Sequence, residues 1–523
     1  MMKSAQSIPV NVVGSSTFGR YNKISSEKTY NMFISDNWLL SFAGYERIQD
    51  IEESGEGRGI FRSIRADLAV VVINNGVYRL DANISPTFIG VIETSTGKVS
   101  MDENLANQIC IVDGTNAYIY NHALGSLTKQ DIVVDLVPNY VCYHNTFFLL
   151  GNGTRTGNGA KWFAFSYETD TTISSTTELA LETKPDYAVA VKRIPGQSSN
   201  VLVFGTAVCE VQTQVGGLEN YQRNSSVNVD YGCLSVDTIA ASDQYVVWLA
   251  INESNSPVIM TFSREGANKI SSDGIDYVLN SLTAPDQSVA FFYRQDGHLF
   301  YQITFYNKND NLTLAYDFNT KKFFHLSDHN LDYHPALEAI YFNDAIYFVS
   351  LNNASVYRSN TTLTTYNENQ PGSYDSEFDY EIPRVRICNN VRKPDSSPFR
   401  VKSFVMTIDQ GNDPDFVGLN LMQQLPDFIV TQDGDIIVTQ QGDPIVTQGS
   451  QLSLIYKPRV DLAMSKDGGQ TFSSYSSRVL NTEGKRKNIL SWQSMGINND
   501  LVFKLRFWGT SYFLVNNGLV DIF

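Results

Sequence analysis

The chain has 523 residues, enough for two to four domains or for one large repeat domain with an appendage. Its formal charge of −16 is spread along the chain without an acidic tail, which argues against grip on a phosphate backbone, since that affinity comes from Lys and Arg displacing counterions. With 28 Tyr, 30 Phe and short apolar runs separated by Gly, Asn, Ser and Thr, the composition favours an all-β fold, and no apolar run approaches the roughly 20 residues that span a bilayer.

Residues 1–57 read as an arm. Its N-terminal stretch has one Lys and no apolar run of the length a secretory signal needs, so the chain is expected to be soluble and to fold in a cytoplasm. The phrase Tyr30-Asn31-Met32-Phe33, a turn at Ser35-Asp36-Asn37 and a strand ended by Gly44 follow. From residue 58 a hairpin unit recurs. Its clearest copy has the apolar run Leu68–Ile73, the turn Asn74-Asn75, then Gly76-Val77-Tyr78-Arg79-Leu80. Asn and Gly tolerate the positive φ such a turn needs.

Further copies lie at Val99–Asn121, Tyr140–Tyr167, Tyr187–Val211, Thr238–Phe262, Val289–Phe324 and Leu337–Tyr357. A spacing of about 40 to 50 residues is that of four-stranded propeller blades. The expectation is a β-propeller of six or seven blades over 58–365, closed by a strand from the early arm, because an open edge would aggregate. Asn367–Tyr374 reads as a linker, and residues 366–523 as a β-sandwich-like domain with strands at Phe378–Cys388, Phe399–Ile408, Leu452–Met464, Phe472–Leu480 and Leu501–Trp508. Into it is set an octad repeat, 427–450, with three Ile-Val-Thr-Gln tetrads. Its β-branched pairs Ile429-Val430, Ile437-Val438 and Ile445-Val446 are candidate contacts to a neighbouring subunit or partner, with a self-contained hairpin flap as the alternative.

Several constellations could carry chemistry. His325, Asp328, His329, Asp332 and His334 are ligand types at short spacing, but no zinc frame fixes them and an inter-strand loop explains them. Asp433, Asp435 and Asp443 could hold calcium, yet Asp-Gly pairs are equally demanded by turns. Ser465–Phe472 resembles the Asp box of sialidases, whose job is structural. A glycosidase would need two facing carboxylates, and a sialidase an arginine cluster as well. Arg384, Arg386, Arg392 and Arg400 are the densest arginines, and solvated strand faces account for them. Cys142 and His144 share a strand face without a recognisable catalytic frame, and Cys142 also suits a core. Gly151–Gly159 is Gly-rich but precedes a strand, so no helix dipole awaits a phosphate there. The five cysteines, odd in number and without a CxxC pair, read as core residues of a reduced protein. The chain is therefore expected to be no enzyme, with no catalytic, cofactor or metal residues.

A set of phrases in fixed order adds a further reading. They are Asn31-Met32 with Leu40-Ser41-Phe42-Ala43-Gly44, Arg58-Gly59-Ile60-Phe61, Gly76-Val77-Tyr78-Arg79, Gly97-Lys98-Val99-Ser100-Met101, Val203-Phe204-Gly205-Thr206 with Glu210-Val211, Tyr231-Gly232-Cys233, Ser465-Lys466-Asp467-Gly468 and the terminal Trp492…Gly496…Phe503-Lys504-Leu505-Arg506. This order resembles the tail hub or nozzle proteins of short-tailed bacteriophages, also called packaged DNA stabilisation proteins. The octad repeat is not part of that pattern. The resemblance implies a propeller hub assembled as a homohexamer beneath the portal and its adaptor ring, in a virion built in the host cytoplasm. It would extend the DNA channel, help retain the genome, and anchor tail spikes or fibres and a needle or plug. DNA would pass through the lumen without sequence-specific binding, and the chain would insert into no membrane. The competing readings are a propeller glycosidase and a glycan-binding module without catalysis. The second would need clustered exposed Trp and Tyr, and the five Trp lie far apart in sequence.

Overall fold

The computed structural model describes residues 6–19, 27–154, 157–166, 172–173, 178–216, 221–373, 378–393, 395–410, 427–428, 446–447, 458–480, 487–509 and 513–522. The chain divides into two compact units, one of residues 14–34 and 42–389 and the other of 1–13, 35–41 and 390–523.

The first unit is a seven-bladed propeller. Six blades are four-stranded antiparallel meanders, spanning 57–91, 100–129, 138–180, 188–229, 232–269 and 288–326. Every hairpin copy read in the sequence falls on a blade. The seventh blade takes three strands from 336–360 and its fourth from the early arm, where Gly44–Asp50 pairs antiparallel with Ser355–Asn360. The innermost strands of successive blades are neighbours all the way round, from Gly57–Arg62 through to Ala336–Phe342 and back.

The blades' middle strands are apolar on both faces because each is covered twice. In blade one, Val70 and Val72 join the core shared with Ile109, Ile111 and Tyr118 of blade two. Ala69, Val71 and Ile73 face the other way, onto Tyr347 and Val349 of blade seven. Blade five repeats the scheme, with Trp248 turned to Leu202 and Phe204 of blade four, and Val247 and Leu249 turned to Tyr301 and Ile303 of blade six. The turn at Asn74 has the expected positive φ, 49°, and its side chain accepts from Glu56 N and donates to Ser54 O.

Closure rests on Tyr45. Its ring is stacked on Tyr366 at 4.3 Å and meets Phe348 and Tyr357 edge-on at 5.5 Å. The strand Thr365–Asn367 runs parallel to the closing strand and pairs in turn with Asp379–Glu381, so blade seven continues past its fourth strand. Gly44 fits between these rails, because a Cβ there would lie 2.2 Å from Thr365 O. Residues 366–389 thus belong to the propeller unit. The stretch read as a linker lies within this extension, and residues 374–377 are outside the described ones.

One nine-residue α-helix, Asp273–Ser281, stands between blades five and six, capped by Ser272, whose side chain accepts from Ile275 N. Ile275 and Leu279 enter the core between those blades. No helix among the described residues is long and apolar enough to cross a membrane.

The second unit is a two-sheet sandwich. One sheet places Phe399–Gln410 between Lys487–Asn498 and Phe513–Ile522, and Gln6–Val10 and Trp38–Ser41 pair with the last of these. The other is Val502–Trp508, Arg459–Ser465 and Ser476–Val479. Phe404 of the first sheet stacks on Phe503 of the second at 4.6 Å, and Trp492 Nε1 donates to Ser476 O at 2.8 Å.

Candidate functional site

The propeller axis is where all seven blades converge. The phrases Arg58-Gly59-Ile60-Phe61 and Gly97-Lys98-Val99-Ser100-Met101 meet here. Arg58 is fully buried, and its guanidinium donates to the carbonyls of Gly97, Asn74 and Thr94 at 2.6, 2.9 and 2.7 Å. Val99 N closes the join on Arg58 O at 2.8 Å. This clamp fixes the segment that carries Lys98 into the channel. Lys98 Nζ lies 3.2 Å from Asp237 O of blade five and 3.6 Å from the Glu338 carboxylate of blade seven. Glu338 in turn accepts from Ile60 N of blade one at 3.2 Å. Tyr140 of blade three donates across to Ile239 O of blade five at 3.3 Å, with Lys192 over its ring at 5.2 Å. Asp102 accepts from Tyr143 N at 2.8 Å, tying blade two to blade three.

What remains between these side chains is a cavity of about 250 Å³ touched by every blade, below the roughly 300 Å³ at which pockets for drug-sized ligands begin. Asp237 is the unusual group in it. Enclosure by protein pushes its carboxyl up to about 6, the Lys98 ammonium opposes that rise and the Glu338 carboxylate adds to it. A carboxyl titrating there is a property shared with general acids and bases. Here its surroundings are braces between blades, and the arrangement holds the ring shut across its axis.

The constellations singled out in the sequence are drawn apart. His325 is buried, 2.7 Å from Ser16 Oγ, and burial pushes its imidazole down to about 3. His334 sits edge-on to Tyr45 and is likewise pushed down to about 3 by burial. His329 stacks on Tyr380 at 3.7 Å. Among the described residues no three His, Cys, Asp or Glu side chains converge as metal ligands.

The reading of the arginines as solvated faces is corrected for two of them. Arg384 and Arg386 are 2% and 0% exposed. Arg386 is held by Glu27, Ser15 O and Thr29 Oγ1, and Arg384 reaches Thr364 O. They are buried because their partners come from the early arm and from the blade-seven extension. Arg392 pairs with Asp500, and Arg400 is exposed.

All five cysteines are free and buried. Burial raises the Cys142 thiol, and both ring nitrogens of His144 are occupied, by Tyr221 Oη at 2.8 Å and Ser198 O at 2.9 Å. In the Asp-box segment the Asp467 carboxylate accepts from Gln470 N and Thr471 N at 3.0 Å, and Gly468 and Gly469 have φ of 77° and 95°. It is a turn builder, as that motif is elsewhere. Of the octad repeat, Asp427-Phe428 pairs with Val446-Thr447. Ile429, Val430, Ile437, Val438 and Ile445 lie outside the described residues, as do Asp433, Asp435 and Asp443.

Compared with known proteins, residues 25–364 match a family model described as the bacteriophage P22 Gp10 β-propeller. No curated protein matches the chain. Solved structures similar to it include a streptogramin B lyase, 11% identical over 62% of this chain and 99% of that one, TM-score 0.42. Another is the WD40 β-propeller domain of Doa1, 9% identical over 61% and 97%, TM-score 0.37. A third is the Neurospora crassa Pan2 WD40 domain, 10% identical over 62% and 97%, TM-score 0.37.

Proposed function

The chain belongs to the bacteriophage P22 Gp10 β-propeller family of phage tail proteins, and from that premise we propose that it serves as a structural hub or nozzle without catalytic activity. In this reading six copies form a ring beneath the portal and adaptor. The ring extends the DNA channel, helps to retain the packaged genome, and anchors spikes or fibres and a needle. The observation that carries it is the blocked propeller axis. With Lys98 and Tyr140 bridging blades across a cavity of about 250 Å³, a duplex has no bore inside one copy, so any conduit has to lie between copies. A net charge of −16 suits a lumen along which DNA slides rather than sticks. We further propose that the octad-repeat residues Ile429, Val430, Ile437, Val438, Ile445 and Val446 contact a neighbouring subunit or tail partner.

Mass photometry and negative-stain imaging of the purified chain, alone and with the adaptor, test this. The expected result is a ring of about six times 58.5 kDa with an axial hole. A chain that stays monomeric and ignores the adaptor overturns the reading. A chain lacking residues 429–448 that forms the same ring and recruits the same tail proteins removes the role given to the repeat.

A further inference from the structure

The three-stranded sheet of the C-terminal unit carries a face that the hub reading does not use. Along Val502–Trp508 the residues alternate, with Phe503, Leu505 and Phe507 buried and Lys504, Arg506 and Trp508 turned outward. Rings and cations interleave on the outward side. Lys504 Nζ stands 5.4 Å from the centre of Phe472 and 5.9 Å from that of Tyr475. The Arg506 guanidinium stands 5.6 Å from Tyr475 and 4.3 Å from Trp508, and Arg459 covers Trp508 at 5.1 Å. Cross-strand register explains the order, since Arg459 is opposite Trp508 and Asp461 opposite Arg506.

The ladder is fixed from below. Trp508 Nε1 donates to one oxygen of the buried Asp461 carboxylate at 2.5 Å, and Ser477 Oγ donates to the other at 2.5 Å. Among the described residues neither Lys504 nor Arg506 makes an ion pair. A guanidinium laid on a ring keeps its N–H edge free for a carboxylate fork while its flat face is already desolvated. Tyr475, 39% exposed, and Ser477 add hydroxyls at the margin.

We propose that this face binds an acidic polysaccharide, with sugar carboxylates forked by Arg506 and steadied by Lys504, and sugar rings resting against the rims of Tyr475 and Trp508. Charge selects this ligand class. A polyuronate carries carboxylates among many hydroxyls and matches three cations set around one buried carboxylate. A single-stranded nucleic acid needs both a cationic track that releases counterions and open ring faces on which its bases stack. Asp461 interrupts such a track, and the Arg506 and Arg459 guanidiniums already occupy the Trp508 ring on which a base would stack. The clustered aromatics that a glycan-binding reading required are thus assembled by folding within the C-terminal unit. The proposal stands whether or not the chain forms a ring.

The test is fluorescence titration of the full chain with alginate oligosaccharides, with neutral dextran and with an oligothymidylate. Alginate is expected to bind, more weakly as NaCl is raised, and the other two to leave the signal unchanged. Arg506→Ala should lose at least about tenfold in affinity, and Arg506→Lys several-fold, since it keeps the charge without the planar fork. Both variants should keep the parent's thermal midpoint. Absence of alginate binding, tighter binding of the oligothymidylate, or an Arg506→Ala variant that folds and binds as the parent does would each overturn the proposal.

Discussion

At the scale of single residues, Asp237 makes the propeller axis sensitive to pH. Its carboxyl is raised to about 6 in the folded chain from an ordinary 3.8. Between pH 4 and 6 the folded state therefore holds a proton that the unfolded state has released. Stability falls as pH rises through that window, and above it the cost is on the order of 3 kcal/mol. Asp237→Asn should raise the urea midpoint at pH 8 and match the parent at pH 4, and parallel curves from pH 4 to 8 would refute this. Little of that was legible in the sequence, where Asp237 is one acidic residue among 55 acidic positions. The same limit hid the burial of Arg386, whose partner Glu27 is 359 positions away. The phrases that carried the resemblance to the phage family were more telling than they looked. Arg58 and Gly97, Asn31 and Ser327, and Gly205 and Asp186 prove to be places where distant backbone is pinned.

At the scale of elements, the hairpins were readable because a strand covered on both faces must be apolar throughout, and seven such strands recur. That the early arm closes the ring was foreseeable in kind, because an open blade edge is a liability. The helix Asp273–Ser281 was missed although Ser272, Asp276, Ile275 and Leu279 carry its cap and its apolar pair. So were the strands Lys487–Asn498 and Phe513–Ile522, whose pairing with Phe399–Gln410 is a matter of distant register that local pattern does not encode. The closing strand should behave as a latch. Tyr45→Ala is expected to cost about 3–5 kcal/mol. The loss should show as faster amide exchange in blade seven and at its junction with blade one before the other blades respond, whereas Tyr45→Phe should be near neutral. Uniform loosening of all seven blades would mean that closure resides elsewhere.

At the scale of the whole molecule, charge is partitioned. Basic and acidic residues balance in the C-terminal unit, so the excess of −16 sits on the propeller unit. Copies brought together in a ring would repel through their propellers, and salt screens such repulsion within about 10 Å at 0.1 M. Raising NaCl from about 50 to 500 mM should shift purified chain toward the ring in sedimentation velocity. A ring that dissolves as salt rises would show that opposite charges, rather than apolar contacts, join the subunits.

The pairing of Gln6–Val10 with the strand ending at Ile522 also sets a timetable for manufacture. A ribosome delivers the first strand hundreds of residues before its mate, and the latch strand near residue 45 waits almost as long for blade seven. A nascent chain interrupted before Phe513–Ile522 leaves its sandwich unfinished, with Gln6–Val10 and Phe399–Gln410 both presenting an open edge.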